Sequence, residues 1–464
     1  MITINLQILF ILMFSLIFLW TAGIGIGTVI IPYSIFVVYF SFFIFFIKEK
    51  SKFLNKILYY FWKTPLKFLI LFVLWAILSS FFVTSISNAP KIIARVLRDY
   101  IVFVMPFCLI GIFFIPKYIS FTKLKKILLN IILIVNIYGI FDYLIQVISP
   151  DLHLFLFKFF YSLPLEDRIL NRAMSVFFEP TFFGAFLFCF LPLVYNNFLN
   201  SPMRFNNKIF LFSLSLLILT WINLLLTKSP IFLVFAMIYT AFHFRKNIFK
   251  IFFSIKRLLL IFAIVAFVIG AVALLSEIFD ISDTKVLSRI FVTIKNMNSM
   301  SNLIVADGSF ATRIGLYAIS LLVFIKHPFV GYGYANTKEV MYNQICNSPI
   351  PLTDEIINSN NMHQGLTVAN ILLQTLCWTG IIGAALLYIF FIKTILTVNK
   401  IIKTKQNNEE TRFIRDLNLV GINYIIYSAY WSLITDTLMW FVFSILIAYI
   451  IFSKKNKLSS GGIG

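Results

Sequence analysis

The polar side chains equipped for chemistry are few, and most stand beside apolar runs. Glu179 immediately precedes Pro180, where a polar stretch meets a long apolar one. Proline is favoured as the first residue of a helix. Glu179 therefore falls at the N-cap, where Ser, Thr, Asp and Asn are the usual choices. Capping does not explain a glutamate there, although a helix N-terminus favours an anion. Two readings stand: a carboxylate that caps or pairs with arginine, and a catalytic carboxylate at the water–membrane boundary. His363, in the polar stretch 358–364, is either a solvated loop histidine or a second proton acceptor. Lys228 occupies the corner Thr227-Lys228-Ser229-Pro230 between two apolar runs. It is either a snorkelling lysine or a point charge for a phosphate. Arg172, Arg289 and Arg313 complete the set of candidate cations, and Tyr317 lies one turn beyond Arg313.

The elements that position these groups are membrane spans. Of 464 residues, 60% are hydrophobic and 12% charged, against about 25% charged in an average soluble domain. A span needs about 20 apolar residues. Candidates lie near 6–22, 28–47, 67–85, 100–115, 127–147, 181–199, 209–227, 230–243, 258–276, 368–392, 418–435 and 437–452, which makes about twelve in an all-α polytopic protein. The first reads as a retained span. The net charge of +21 would suggest nucleic acid in a soluble chain. Here it follows the positive-inside rule. Lys and Arg cluster after every even-numbered span, including Lys48–Lys67, Lys117–Lys126, Arg245–Arg257 and Lys393–Arg415. Both termini are therefore expected in the cytoplasm. The odd-numbered exits then face outside, among them 86–99, 148–180 and the large loop 277–367.

The outer loops carry cations against that rule: Arg95, Arg98, Arg168, Arg172, Lys228, Arg289 and Arg313. They either pair with Asp99, Asp142, Asp151, Glu166, Asp167 and Glu179, or they await a partner. Asp142, Glu179, Lys228 and Asp436 all fall on the outer half. An ionisable group in a membrane segment marks a functional site by default, and this one-sided placement points to the outer surface rather than to a path across the bilayer. Residues 312–325 read as an amphipathic or half-buried helix of about four turns, started by Arg313, too short to span and ended by Pro328, Gly331 and Gly333. His327 caps its end. Cys108, Cys189, Cys346 and Cys377 fit neither a metal spacing nor a disulfide framework. A P-loop, a dinucleotide fingerprint and a nucleophile elbow are absent.

Four stretches, in this order, resemble the O-antigen polymerase and O-antigen ligase family. Arg172…Ser175…Glu179-Pro180…Gly184 is similar to its Arg…Ser…Glu/Asn-Pro…Gly segment, and Thr227-Lys228-Ser229 to its Thr-Gly-Ser-Arg corner. Arg313…Tyr317…His327-Pro328…Gly331-Tyr332-Gly333 resembles its Arg…Trp…Pro-x-x-Gly-x-Gly stretch. Asn370…Leu373-Gln374…Gly380-Ile381-Ile382-Gly383 resembles its His-Asn…Leu-Gln…Gly-Ile-x-Gly stretch. The likeness covers roughly 165–395. Two positions depart from it: Lys228-Ser229-Pro230 replaces the Ser-Arg pair, and Ala369 stands where the family has His. The departures suit a polymerase better than a ligase.

The resemblance implies a GT-C-like membrane glycosyltransferase, metal-independent and inverting, with no cofactor, in the bacterial cytoplasmic (inner) membrane and active at its outer face. It implies an undecaprenyl-diphosphate-linked oligosaccharide as donor, membrane lipid as surroundings and a chain-length regulator protein as partner, with no nucleic acid. The product would be O-antigen, capsule or exopolysaccharide. Arg172, Lys228, Arg313, Arg289 and Tyr317 would then bind the diphosphate and substrate, and Glu179 or His363 would serve as base. Transport is the competing class. It predicts internal repeats and broken helices at the midplane, and no clear repeat relates the two halves.

Overall fold

A computed structural model of the chain describes residues 23–32, 59–160, 172–252, 299–361 and 370–460, with short internal gaps. In chain order, a hairpin of β1 (Gly23–Ile26) and β2 (Val29–Pro32) precedes α1 (Leu66–Val83) and α2 (Ala89–Leu97). A π-helical segment, Arg98–Val104, runs on into α3 (Met105–Leu109). Then come α4 (Phe121–Ile148), α5 (Pro150–Phe160), α6 (Pro180–Leu199), α7 (Lys208–Leu226) and α8 (Pro230–Phe252). The last six are α9 (Gly308–Lys326), α10 (Lys338–Cys346), α11 (Asp354–Asn361), α12 (Ile371–Thr404), α13 (Glu409–Ser428) and α14 (Thr437–Ser460).

The chain is a helical, polytopic membrane protein. Among the described residues, α1, α4, α6, α7 and α12 are long and apolar enough to cross a bilayer. The expected first and ninth spans lie outside the described residues. Three expectations are corrected. The hairpin occupies 23–32, overlapping the start of the expected second span, with Ile24 opposite Ile31. Alternating glycine and β-branched residues disfavour helix and favour extended chain. The expected outer loop 86–99 is largely helical, since α2 leads without a break into the π segment. Part of the expected loop 148–180 is α5.

The helices form two compact units. One comprises Met1–Leu9, Ile35–Phe121 and Phe291–Gly464; the other comprises Phe10–Ser34 and Thr122–Ile290. In the first unit α12 packs against α1, α9, α13 and α14. Phe390, Phe391, Trp440 and Phe443 form its aromatic centre, with ring centroids 4.8 to 5.9 Å apart. The outer face of α1 exposes Leu71, Leu74, Leu78, Phe81 and Phe82, as a surface solvated by lipid tails requires. In the second unit α6 is apolar on all sides and nearly all its residues are buried, the pattern of a central helix. Asn136 of α4 and Asn223 of α7, both fully buried, hydrogen-bond to each other (3.0 Å). Such polar contacts join helices in an apolar medium.

The feature that orders the first unit is a break in α12. Gly380 has φ 66° and ψ −171° within the helix. The broken turn leaves backbone groups that must find partners elsewhere. The Ile381 amide donates to Pro328 O (2.8 Å), and Cys377 O accepts from the Tyr332 amide (2.8 Å). Thr379 O accepts from the Trp75 indole (2.8 Å). The turn after α9 is thereby locked into the break. Gly331, at φ 70°, leaves no room for a Cβ, which would stand 2.6 Å from the Thr379 amide nitrogen. Beyond it, the buried Tyr334 phenol donates to Asp99 Oδ2 (2.9 Å). Burial, then the nearby Tyr100 and Asp99, hold this phenol well above its ordinary pKa. The expected helix end at Pro328 is therefore present, and its two glycines serve a turn that docks onto a second helix.

Candidate functional site

In the second unit, the site begins with a carboxylate one and a half turns from the end of α4. Asp142 is 6% exposed. Its Oδ2 accepts from the Met174 amide (2.9 Å), the Ser175 amide (3.1 Å) and the Gln146 amide group (3.2 Å). Its Oδ1 lies 3.2 Å from Nδ1 of the buried His153 on α5. Gln146, one turn further on, grips the backbone of residue 172 from both sides. Its Nε2 donates to Arg172 O (2.9 Å) and its Oε1 faces the Arg172 amide (3.4 Å). The segment 172–175 is thus bound edge-on to the end of α4 by two side chains spaced i, i+4, which share one helix face.

That segment carries Arg172 to the Lys228 corner. The guanidinium Nε donates to Thr227 O (2.8 Å) and Nη2 to Lys228 O (3.0 Å). The Ala173 amide adds a backbone bond to Leu226 O (2.9 Å). The guanidinium satisfies carbonyls that the end of α7 would otherwise leave without intrahelical partners. The corner is strained. Ser175 (φ 54°) and Lys228 (φ 47°) are, among the described residues, the non-glycine residues with left-handed backbone. That conformation costs roughly 1–2 kcal/mol for a residue with a Cβ. Ser175 is steadied by its hydroxyl, which donates to Val135 O (2.7 Å). At Lys228 the resemblance places a family glycine, which would adopt this backbone without cost.

In the first unit, Arg313 projects from the second turn of α9, and its guanidinium carbon lies 4.5 Å from the centroid of the Tyr430 ring. Such a cation–π contact is worth about 0.5–2 kcal/mol and fixes the plane of the guanidinium. Tyr317, one turn on, donates from its hydroxyl to Ala429 O (3.3 Å). Asn370 Nδ2 donates to the same carbonyl (2.6 Å) while its Oδ1 caps α12 by accepting from the Leu373 amide (3.0 Å). The Thr312 hydroxyl contacts Thr353 Oγ1 (2.7 Å) and donates to Glu355 Oε2 (2.9 Å). Burial, and then Tyr430, push the Tyr317 phenol up to about 12, with Arg313 opposing. Tyr317 is therefore a neutral donor across the physiological range.

The structure brings Arg172 together with Lys228, and Arg313 with Tyr317. Glu179, His363 and Arg289 lie outside the described residues, although α6 does begin at Pro180 as expected. Arg98 pairs with a carboxylate as the simpler reading expected: its Nε lies 2.7 Å from Asp99 Oδ1. Asp142 instead serves backbone amides and His153. Cys108, Cys189 and Cys377 are buried and Cys346 is exposed, all as free thiols. Sequence reasoning missed Gln146, His153, Glu355 and Tyr430. For Gln146 a signal existed, because a second polar residue four positions after Asp142 on an apolar helix needs a partner. Nothing local marked Tyr430.

No curated protein matches the chain. Residues 213–388 match the family model described as O-antigen ligase. That region includes the Lys228 corner, the Arg313 helix and the Asn370–Gly383 stretch, and it indicates O-antigen ligase- or polymerase-type glycan transfer on lipid-linked oligosaccharide. Over residues 213–388 the chain is therefore similar to the O-antigen ligase family domain, in keeping with the resemblance to the O-antigen polymerase and ligase family.

Proposed function

We propose that this protein is a polysaccharide polymerase. It transfers a glycan from an undecaprenyl-diphosphate-linked donor to a sugar hydroxyl of a lipid-linked repeat unit, at the outer face of the cytoplasmic membrane. The observation that carries the reading is the match over 213–388, which encloses the Lys228 corner, whose carbonyls accept from Arg172, and Arg313, whose guanidinium lies over the Tyr430 ring. The departure at Ala369, where the family has His, favours polymerisation over ligation.

The acceptor hydroxyl is too weak an acid to ionise at neutral pH, so it needs a base within hydrogen-bond reach. Glu179 takes that proton, with His363 as the second candidate. The acceptor oxygen forms its bond to the anomeric carbon as the bond from that carbon to the diphosphate oxygen breaks. Single displacement inverts the anomeric configuration. The leaving diphosphate gains negative charge in the transition state, and preorganised cations stabilise charge as it develops. Lys228 and Arg313 supply that charge without a metal. Arg289 adds charge from the large outer loop, Arg172 reinforces the field beside Lys228, and Tyr317 donates at the Arg313 side. The diphosphate stays on the polyprenyl chain, which the apolar helices hold in the membrane. Growing chains meet a chain-length regulator protein at this face.

Purified protein incubated with a lipid-diphosphate-linked repeat unit tests the reading. A ladder of oligomers is expected, undiminished by EDTA. Transfer of a single preformed chain to a different acceptor, with no ladder, would make the protein a ligase. No transfer at all, with lipid-linked units crossing the bilayer instead, would make it a transporter.

A further inference from the structure

Lys228 holds a left-handed backbone with φ 47°, and the groups that brace it are traceable to α4. Gln146 fixes both backbone groups of Arg172. Asp142 fixes the amides of Met174 and Ser175. Arg172, so fixed, donates to the two carbonyls at the corner, Thr227 O and Lys228 O. Gln146 and Asp142 are 1% and 6% exposed, so neither is placed as a solvated surface group. Strained backbone persists only where its surroundings over-determine it, and such residues cluster at ligand clamps. A lysine that only snorkelled would gain nothing from a conformation that glycine adopts freely.

We propose that Gln146 and Asp142 are positioning residues. They set Arg172 so that its guanidinium holds the Thr227–Lys228 corner and presents the Lys228 ammonium to the donor's diphosphate. Arg172 acts first as a brace, and its influence on substrate runs through Lys228. This rests on the polymerase reading above and deepens it, because it assigns the anion-binding geometry to residues of α4 that never touch substrate.

The test is a double-variant cycle on binding of undecaprenyl diphosphate to the full-length protein in nanodiscs of neutral lipid. The chains compared are wild type, Gln146→Ala, Lys228→Gly and the double variant. Interacting residues give non-additive effects, and independent ones add. Gln146→Ala is expected to weaken binding about tenfold in the wild-type background, the factor equivalent to 1.4 kcal/mol. It should cause no further loss once Lys228 is glycine. Arg172→Lys keeps the charge but loses the two-pronged grip. It should repeat the pattern, and it carries the cycle if Gln146→Ala does not fold. Asp142→Asn, which retains an acceptor oxygen for the two amides, should restore most of what Asp142→Ala loses. Losses that multiply in the double variant, or wild-type binding by both Gln146→Ala and Arg172→Lys, overturn the inference while leaving an active polymerase. A wild-type chain that neither binds the diphosphate lipid nor forms a ladder overturns the polymerase reading, and this inference with it.

Discussion

Gly380 and Phe329 touch so closely that a Cβ on Gly380 would overlap the Phe329 carbonyl. This contact joins the turn after α9 to the break in α12, and so fixes Arg313 of α9 relative to Asn370 at the start of α12. Gly380→Ala meets both that overlap and a left-handed backbone (φ 66°). It should destabilise the folded protein by about 2–4 kcal/mol, the range of strained or overpacked sites. Thermal unfolding in detergent measures this, and a melting temperature equal to wild type would show that the two segments are not locked together.

Lys228 should separate stability from activity. Lys228→Gly removes a left-handed side chain, and relief of that strain is worth about 1 kcal/mol. The variant should melt no lower than wild type, yet transfer glycan much more slowly. A fully active Lys228→Gly chain would return Lys228 to a lysine that merely reaches for the membrane surface.

Arg313 depends on Tyr430 for its orientation. Tyr430→Phe keeps the ring face and should retain most activity. Tyr430→Leu removes the cation–π contact and should reduce kcat by about fivefold to tenfold, matching roughly 1 kcal/mol. Arg313→Gln should fall much further, because it removes the charge itself. Equal kinetics for the Phe and Leu variants would mean that stacking does not position Arg313.

The Tyr317 phenol, pushed up to about 12 chiefly by burial, gives a pH signature. Because the folded-state pKa lies above the ordinary value of 10, the folded chain keeps a proton that the unfolded chain releases. Stability from this group is full below about pH 10 and is lost as pH rises towards 12. Melting temperatures across that window should fall more steeply for wild type than for Tyr317→Phe. Parallel slopes would show that Tyr317 is not buried as described.

Glu179→Gln tests the assigned base. Loss of a general base typically costs 10²- to 10⁴-fold, so ladder formation should nearly vanish while the protein still accumulates in the membrane. If His363→Ala shows that loss and Glu179→Gln does not, the base is His363.

Much of the local structure was legible in the chain because its causes are local. The apolar runs around 181–199 and 209–227 are long enough to span, and they became α6 and α7. Pro180 opens its helix because its missing N–H costs nothing there. The helix bearing Arg313 ends before Pro328 because proline cannot continue it. Its start was less legible: α9 begins at Gly308, a few residues before Arg313. The hairpin at 23–32 was not seen, since apolar β-branched runs read alike as strand or span, and the helix within the expected loop 86–99 was not seen either.

By itself, the sequence determined the solvent of this protein and the identity of its candidate chemistry: lipid around apolar helices, and cations in the connections between them. Those follow from residue type and from periodicity along a few turns. Only the tertiary structure decided what holds the cations. Arg172 meets Gln146 across 26 positions and the Lys228 carbonyl across 56, and no periodicity encodes such a meeting. The left-handed turn at Lys228 and the break at Gly380 are likewise set by packing, because a backbone conformation that costs energy locally appears only where distant groups repay it.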